Sequence, residues 1–328
     1  MRPAGSGATS MRAVIRIPST AGPPDGAGAF EAEFGGATAR VVRGPAKTVL
    51  SLPLPGIAGG ATERLFPGSR AAGEAHGFFL HEADDLLLGC SVLPLDGALA
   101  EATRDLYGRL FAACAGRPLY RIWNYVPAIN AEVAGQENYR AFCAGRARAF
   151  ESALGAGFRQ ALPAASGVGC GGDALAVLFV AGRAPPRHFE NPDQVPAYDY
   201  PREHGERSPS FARATAGTRA GRRLVFISGT SAIKGHATVA PDSLAAQLDC
   251  TLDNLRIIGR AAGIGAALGA DSDMERHFKV YLRHESDGAD VRARLELELL
   301  RPRDRVIYLR ADICRAALGV EIEATLLG

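Results

Sequence analysis

The feature that most constrains this chain is a pattern that occurs twice. The stretch "LLLGCSV" (86–92) reads as an apolar strand ending in a glycine turn, and Leu99, Ala102, Leu106, Leu110 and Ala113 then recur every three or four residues. That spacing places them on one helix face. A strand "LYRIWNYV" (119–126), a helix "NYRAFCAGRARAFESAL" (138–154) and a strand "ALAVLFVAG" (174–182) complete the series. The second half repeats the order. "LVFISGT" (224–230) is a strand with its glycine turn, and Leu244, Leu248, Leu252, Leu255 and Ile258 form a helical stripe. "HFKVYLR" (277–283), "ADVRARLELELL" (289–300) and "GVEIEATL" (319–326) follow as strand, helix and closing strand. Two copies of one α+β unit are implied.

The repeat divides the chain into residues 11–183 and 224–328, joined by a linker at 184–223. Residues 1–10, small and polar, are predicted as a disordered tail. The linker is rich in Pro, Arg and Glu, and a segment of that length inside a compact protein is usually disordered or functional. Its Tyr198, Tyr200 and Phe211 argue for function. With 47% hydrophobic residues in 328, each unit can build its own core.

A formal charge of +2 gives no bulk attraction to nucleic acid or to an anionic membrane. No apolar run reaches the roughly 18 residues that cross a bilayer. The six cysteines are widely spaced with no CxxC pair and no signal peptide ahead of them, which predicts reduced thiols in a cytoplasmic protein. No HxH, HExxH or Cys/His cluster supports a metal, and no glycine-rich loop between a strand and a helix supports a nucleotide. No cofactor is expected.

The closing strand carries two carboxylates. Glu321 and Glu323 are two residues apart, so on a strand they share a face, with Val320, Ile322 and Ala324 on the other. The general reading of such a pair is a solvated edge. The sharper one is a proton donor in a cleft.

The second copy resembles the RidA/YjgF family, whose units have a mixed sheet backed by two helices and sites in clefts between neighbouring units. Taken together, "LYRIWNYVPAIN", "NYRAFCAGRARAF", "ENPDQVPAYDYPREHGERSPSFARA", "ISGT" and "ADICRAALGVEIEA" resemble the chorismatases, which are built from two RidA-like halves. The similarity runs from about residue 85 to the C-terminus. It implies a cofactor-independent enzyme that releases pyruvate from chorismate, with a small molecule as its partner and a monomer as the favoured state. One branch of the family hydrolyses chorismate to a dihydroxycyclohexadiene carboxylate; others form 3-hydroxybenzoate, or 3- and 4-hydroxybenzoate. The aromatising branch is similar in carrying a cysteine seven residues before the closing-strand glutamate, and here Cys314 stands seven before Glu321. The resemblance therefore implies 3-hydroxybenzoate, with some 4-hydroxybenzoate as a second product.

Cleaving an enolpyruvyl ether begins most easily by protonating its methylene carbon, so the site needs a carboxylic acid that stays protonated near neutral pH. Burial provides that. By the resemblance Glu321 is this acid, with Glu323 as the fallback. Cys314 assists proton movement, excludes water or simply fills space. The two carboxylates of chorismate call for arginine forks, for which Arg146, Arg202 and Arg213 are candidates. Tyr125, Tyr198 and Tyr200 offer phenols, Thr230 and the amides of the "SGT" turn offer donors, and either Ser231 or Ala232 shapes the pocket. Trp123 is assigned to packing. Two other readings stand beside this one. An imine deaminase of the short RidA type lacks anything like the linker, and a non-catalytic ligand-binding module would bind chorismate without consuming it.

Overall fold

The computed structural model describes residues 15–16, 29–44 and 47–328; the expected tail at 1–10 lies outside them. The duplicated pattern is a duplicated topology. In the first unit, β1 (Arg70–Ala75), β2 (Phe78–Ala83) and β3 (Leu86–Pro94) are followed by α1 (Leu99–Ala113) and β4 (Leu119–Pro127). Then come α2 (Asn138–Leu154), β5 (Ala164–Cys170) and β6 (Ala174–Gly182). The sheet runs β5-β4-β6-β3-β2-β1, parallel only between β4 and β5.

The second unit has β7 (Arg187–Phe189), β8 (Ala214–Arg219), β9 (Arg222–Thr230), α3 (Leu244–Ala261) and β10 (Glu275–Leu282). It ends with α4 (Gly288–Glu298), β11 (Arg305–Arg310) and β12 (Val320–Leu327). Its order, β7-β8-β9-β12-β10-β11, repeats strand for strand that of the first sheet read from its other edge, β1-β2-β3-β6-β4-β5, and its parallel pair is β10 and β11. Both halves are thus mixed sheets with two helices each, as the periodicity and the resemblance led one to expect.

Three differences from the sequence reading have physical reasons. First, β7 and β8 fall inside the expected linker and pair onto β9, because a hairpin with only a short turn at Ala220–Gly221 completes the edge of the second sheet. Second, β5 and β11 escape pattern recognition because each follows directly on a helix in a short crossover, and "AASGVGC" has too few large apolar residues to read as a strand. Third, residues before 66 build a further five-stranded sheet in the order Ile15–Arg16, Arg40–Arg43, Lys47–Leu52, Ala29–Phe34, Thr62–Leu65, while Gly56–Ala58 extends β11 of the second unit.

Alternation along the strands then fixes the layers. In β4, Ile122 and Val126 face α1 and α2, while Trp123 and Tyr125 face the opposite way. In β12, Val320, Ile322, Ala324 and Leu326 pack with Leu248, Leu252, Leu255 and Ile258 of α3. The remaining faces of both sheets close on one another and on the N-terminal sheet, with Tyr120, Leu178, Phe226, Tyr281 and Leu309 in the shared core. Each such fully buried side chain stabilises by about 1.5–3 kcal/mol relative to exposure. The helices lie outside, the two sheets inside.

The glycines expected to make turns do something else. Gly89 lies within a continuously paired strand, and Gly229 at a register irregularity inside β9. A Cβ on Gly89 would sit 2.3 Å from the Phe179 ring, and one on Gly229 would sit 2.0 Å from Glu321 Oε1. These are close approaches, which only a residue without a side chain permits. Among the described residues, no helix is long and apolar enough to cross a membrane.

Candidate active site

β12 is a central strand, flanked by β9 and β10, and this decides between the readings of its two acids. Glu321 and Glu323 point between the two sheets and are each 3% exposed, so the solvated edge is excluded. Sharing a face, they nevertheless have opposite surroundings.

Glu323 is enclosed by donors. Arg121 of β4 reaches its Oε2 at 2.7 Å, and Trp123 Nε1 donates to Oε1 at 2.6 Å. Lys279 of β10 lies 3.0 Å from Oε1, and Ser166 of β5 donates to Oε2. Lys279 also pairs with Glu63 at 2.7 Å, so the series Glu63, Lys279, Glu323, Arg121 balances its charge. Although burial opposes ionisation, the Lys279 and Arg121 charges hold the Glu323 carboxyl below its ordinary range. Trp123, expected only to pack, therefore also orients this carboxylate.

Glu321 has no such partners. Burial first, and then the charge on Glu323, push its carboxyl up to about 8, against the weaker pull of Arg121, the Ser231 hydroxyl and Arg213. It is a neutral acid near pH 7. Neither its Oε1 nor Ser231 Oγ completes a hydrogen bond of good geometry, and Arg213 Nε has only the Glu190 carboxylate, 4.0 Å away, beyond hydrogen-bond reach. Glu321, Ser231 and Arg213 line one cavity of about 450 Å³. Buried polar groups without partners cost about 1–3 kcal/mol each, a cost that a polar ligand in this cavity offsets. A larger hollow of about 820 Å³ along α1 and α2 has no buried ionisable group in its wall.

The cavity forms where the two units and the segment between them meet. Tyr139 and Arg140 come from the first turn of α2, and Gly229 and Ser231 from β9 and its end. Tyr200, Phe211 and Arg213 come from the connecting segment, and Cys314 and Arg315 from the loop before β12. That loop is docked onto the first unit: Gly169 N–H of β5 donates to Asp312 O at 2.7 Å, and Val168 bridges Ile313. Arg213 donates to the Tyr200 hydroxyl at 2.7 Å with its guanidinium 5.0 Å from the Phe211 ring centre. Arg315 stacks on the other aromatic wall, 5.3 Å from the Tyr200 ring. Burial pushes the Cys314 thiol up to about 12 and holds the Tyr139 phenol far above its ordinary value. Both keep their protons.

Of the residues singled out from sequence, the structure brings Glu321, Cys314, Tyr200, Arg213 and Ser231 together. It places five elsewhere. Tyr125 faces the shared core beside Lys279 and Glu323, because β4 from Arg121 onward turns its odd-numbered residues inward. Arg146 is buried under the helices, 5.4 Å from each of the Tyr107 and Phe150 rings. Tyr198 packs against the first unit's helical core, and Arg202 is exposed. Thr230 donates to Ser228 O and lies between Gly229 and Ser231, so the strand period turns it from the cavity. Ala232 is buried with Ile233, Cys250 and Ile313, which leaves Ser231 as the pocket residue.

Tyr139, Arg140 and Arg315 line the cavity without having been singled out in the sequence, and Phe211, noted there only as a linker aromatic, joins them. Tyr139 and Arg315 sit in the "NYRAFCAG" and "ICRAALG" stretches that carry the family resemblance, so a signal was present. At the cavity rim Glu203, His204 and His236 also converge, within 4.8 Å of one another by their ligating atoms. His204 and His236 are 32 residues apart, which is why no metal-ligand spacing is visible in the sequence.

The chain is similar to known proteins of one family. The family description "Chorismatase FkbO/Hyg5-like, N-terminal" matches residues 66–181. A 3-hydroxybenzoate synthase of Streptomyces hygroscopicus is 38% identical over 247 residues, 72% of each chain. A chorismatase of Streptomyces rapamycinicus is 39% identical over 273 residues, covering 78% of this chain and 79% of the relative. A solved chorismatase crystal structure superposes with a TM-score of 0.77 at 30% identity over 92% of both chains. With two curated relatives above a third identical across most of their length, this chain belongs to the chorismatase family.

Proposed function

We propose that the protein converts chorismate to 3-hydroxybenzoate and pyruvate, and that Glu321 starts the reaction by protonating the enolpyruvyl methylene carbon. The observation that carries this reading is the Glu321 carboxyl, pushed up to about 8, in a cavity lined also by Ser231, whose hydroxyl completes no hydrogen bond, and by the buried Arg213. An acid, a cation and a hydroxyl then stand around one anionic substrate.

Proton transfer from Glu321 leaves an oxocarbenium ion on the ether carbon, next to the carboxylate now borne by Glu321. The substrate's ring hydroxyl adds to that carbon, returns its proton to the Glu321 carboxylate and closes a cyclic ketal. Glu321 then gives that proton to the departing ketal oxygen as the neighbouring ring C–O bond breaks. The carboxylate so formed takes the hydrogen of the ether-bearing ring carbon, which makes the ring aromatic and restores the acid. The resulting hemiketal collapses to pyruvate and 3-hydroxybenzoate. No water is consumed in the sum, whereas formation of the diene diol consumes one.

The remaining groups fit parts of this course. Arg213 and Arg315, each set over an aromatic ring, bind the substrate carboxylates. Cys314 and Tyr139 beside Glu321 are protonated and bulky, and they exclude the water that would divert the cation. The similarity to a 3-hydroxybenzoate synthase supports the aromatic product.

The test is chromatography of the products from purified protein and chorismate, with pyruvate measured in parallel. Equal amounts of 3-hydroxybenzoate and pyruvate are expected. Diene diol as the main product would move the protein to the hydrolytic branch. Unconsumed chorismate, with an iminopyruvate consumed instead, would overturn the reading.

A further inference from the structure

We propose that Glu203, His204 and His236 form a site for a divalent transition-metal ion of the zinc class, and that the bound ion clips the segment over the cavity against the second unit. Three ligating atoms converge there. His204 Nε2 lies 3.0 Å from His236 Nδ1, and Glu203 Oε1 lies 3.3 Å from each. Ligand distances of about 2.0–2.1 Å around a tetrahedral zinc separate neighbouring ligand atoms by roughly 3.3–3.4 Å. The observed triangle is nearly one face of that tetrahedron.

Protons alone satisfy this cluster poorly. A carboxylate oxygen only accepts, and each ring nitrogen can direct at most one N–H, so three contacts share at most two hydrogens. If both nitrogens carry hydrogen, they face each other across 3.0 Å with no acceptor between them. A cation in the centre is bound by all three at once. An imidazole pair with one carboxylate is a donor set suited to zinc, cobalt or nickel rather than to magnesium or calcium.

The position of the site gives it a consequence. Glu203 and His204 belong to the short 3-10 turn at 202–204, within the segment that also supplies Tyr200. His236 is in the turn of the hairpin formed by Ile233–Lys234 and Ala237–Thr238 on the second unit, held by Arg315 through its carbonyl at 2.8 Å. The Tyr200 ring packs on both imidazoles, with centroids 5.2 and 6.4 Å apart. Joining the turn to the hairpin therefore fixes Tyr200 above the cavity and slows entry and release.

The test uses the full chain, freed of metal by a chelator and titrated with cobalt(II) without substrate. One equivalent is expected, with visible bands of a low-coordinate ion and no thiolate charge-transfer band. His204→Ala and His236→Ala should each weaken binding at least about tenfold, since each removes one of three ligands. In a second arm, zinc should slow chorismate consumption by wild type, a chelator should restore it, and His236→Ala should keep the same rate with and without zinc. Absence of cobalt binding, binding unchanged in both histidine variants, or a thiolate band would overturn the site. Tight binding with no effect on turnover would overturn the clip.

Discussion

Glu321 and Glu323 project from the same face of β12, opposite Tyr281 and Lys279 of β10, and their surroundings push the Glu321 carboxyl up to about 8 while holding the Glu323 carboxyl below its ordinary range. Glu323 receives both cations available between the sheets, Lys279 and Arg121. Burial first, and then the Glu323 charge, keep the proton on Glu321 against the weaker pull of Arg121, Ser231 and Arg213. One acid is fixed so that the other remains an acid.

This coupling predicts a pH dependence. Only protonated Glu321 can begin the reaction, so kcat/KM should fall as pH rises through about 8. Glu323→Gln removes the neighbouring negative charge, so the fall should move to lower pH. It also leaves buried cations uncompensated, at a cost of about 3–5 kcal/mol in stability. The stability linkage of Glu321 has its own sign. With the folded value raised from 4.5, its contribution is fully present below about pH 4.5 and lost as pH rises through about 8. A pH–rate profile whose basic limb is the same in wild type and Glu323→Gln would break the proposed coupling.

Gly229→Ala tests the close approach beneath the acid. The added methyl would lie 2.0 Å from Glu321 Oε1, at the register irregularity where β9 passes from the Ile227–Ala324 pair to the Thr230–Ile322 pair. The carboxyl must move, and a displacement of about 1 Å at a reacting group costs on the order of a hundredfold in rate. Turnover should fall while far-ultraviolet circular dichroism stays native. Wild-type kcat in a folded variant would show that the position of Glu321 does not matter.

Much of this was legible in the sequence, and the reasons for the rest are specific. Helix stripes such as Leu248 to Ile258 and the even-numbered residues of β12 gave the repeat directly, because each lies against one core. The acid pair was visible by spacing, but its environment comes from Arg121 and Lys279, which lie 202 and 44 positions from Glu323 and announce nothing locally. Arg146 and Arg202 had the right chemistry in family-like stretches and the wrong place: one is inside the helical layer, the other on the surface. The N-terminal sheet was missed because its short strands mix charged and apolar residues, yet its Glu63 completes the buried charge series.

Arginine placement gives a paired prediction. Arg213→Lys keeps the charge and loses the fork and its stacking on Phe211, so KM should rise about tenfold. Arg202→Lys, on an exposed residue outside the cavity wall, should leave KM unchanged. Reversed effects would place the carboxylate-binding arginine in the 202–204 turn.

Cys314→Ala should preserve pyruvate release, because Glu321 is intact, while opening a space beside it. Water admitted there competes with the ring hydroxyl, and partitioning shifts tenfold for about 1.4 kcal/mol. Product analysis should show less 3-hydroxybenzoate and more diene diol. An unchanged product mixture at the wild-type rate would make Cys314 a packing residue.

The most direct test of the central claim is pyruvate release from chorismate by Glu321→Gln, with chorismate affinity measured on the same preparation. The amide keeps the shape of the carboxyl and cannot donate its proton. Turnover should drop at least about a hundredfold, with affinity within a few fold of wild type. Near-wild-type release of pyruvate by this variant would contradict the account, and the same loss in Glu323→Gln alone would move the acid two residues along β12.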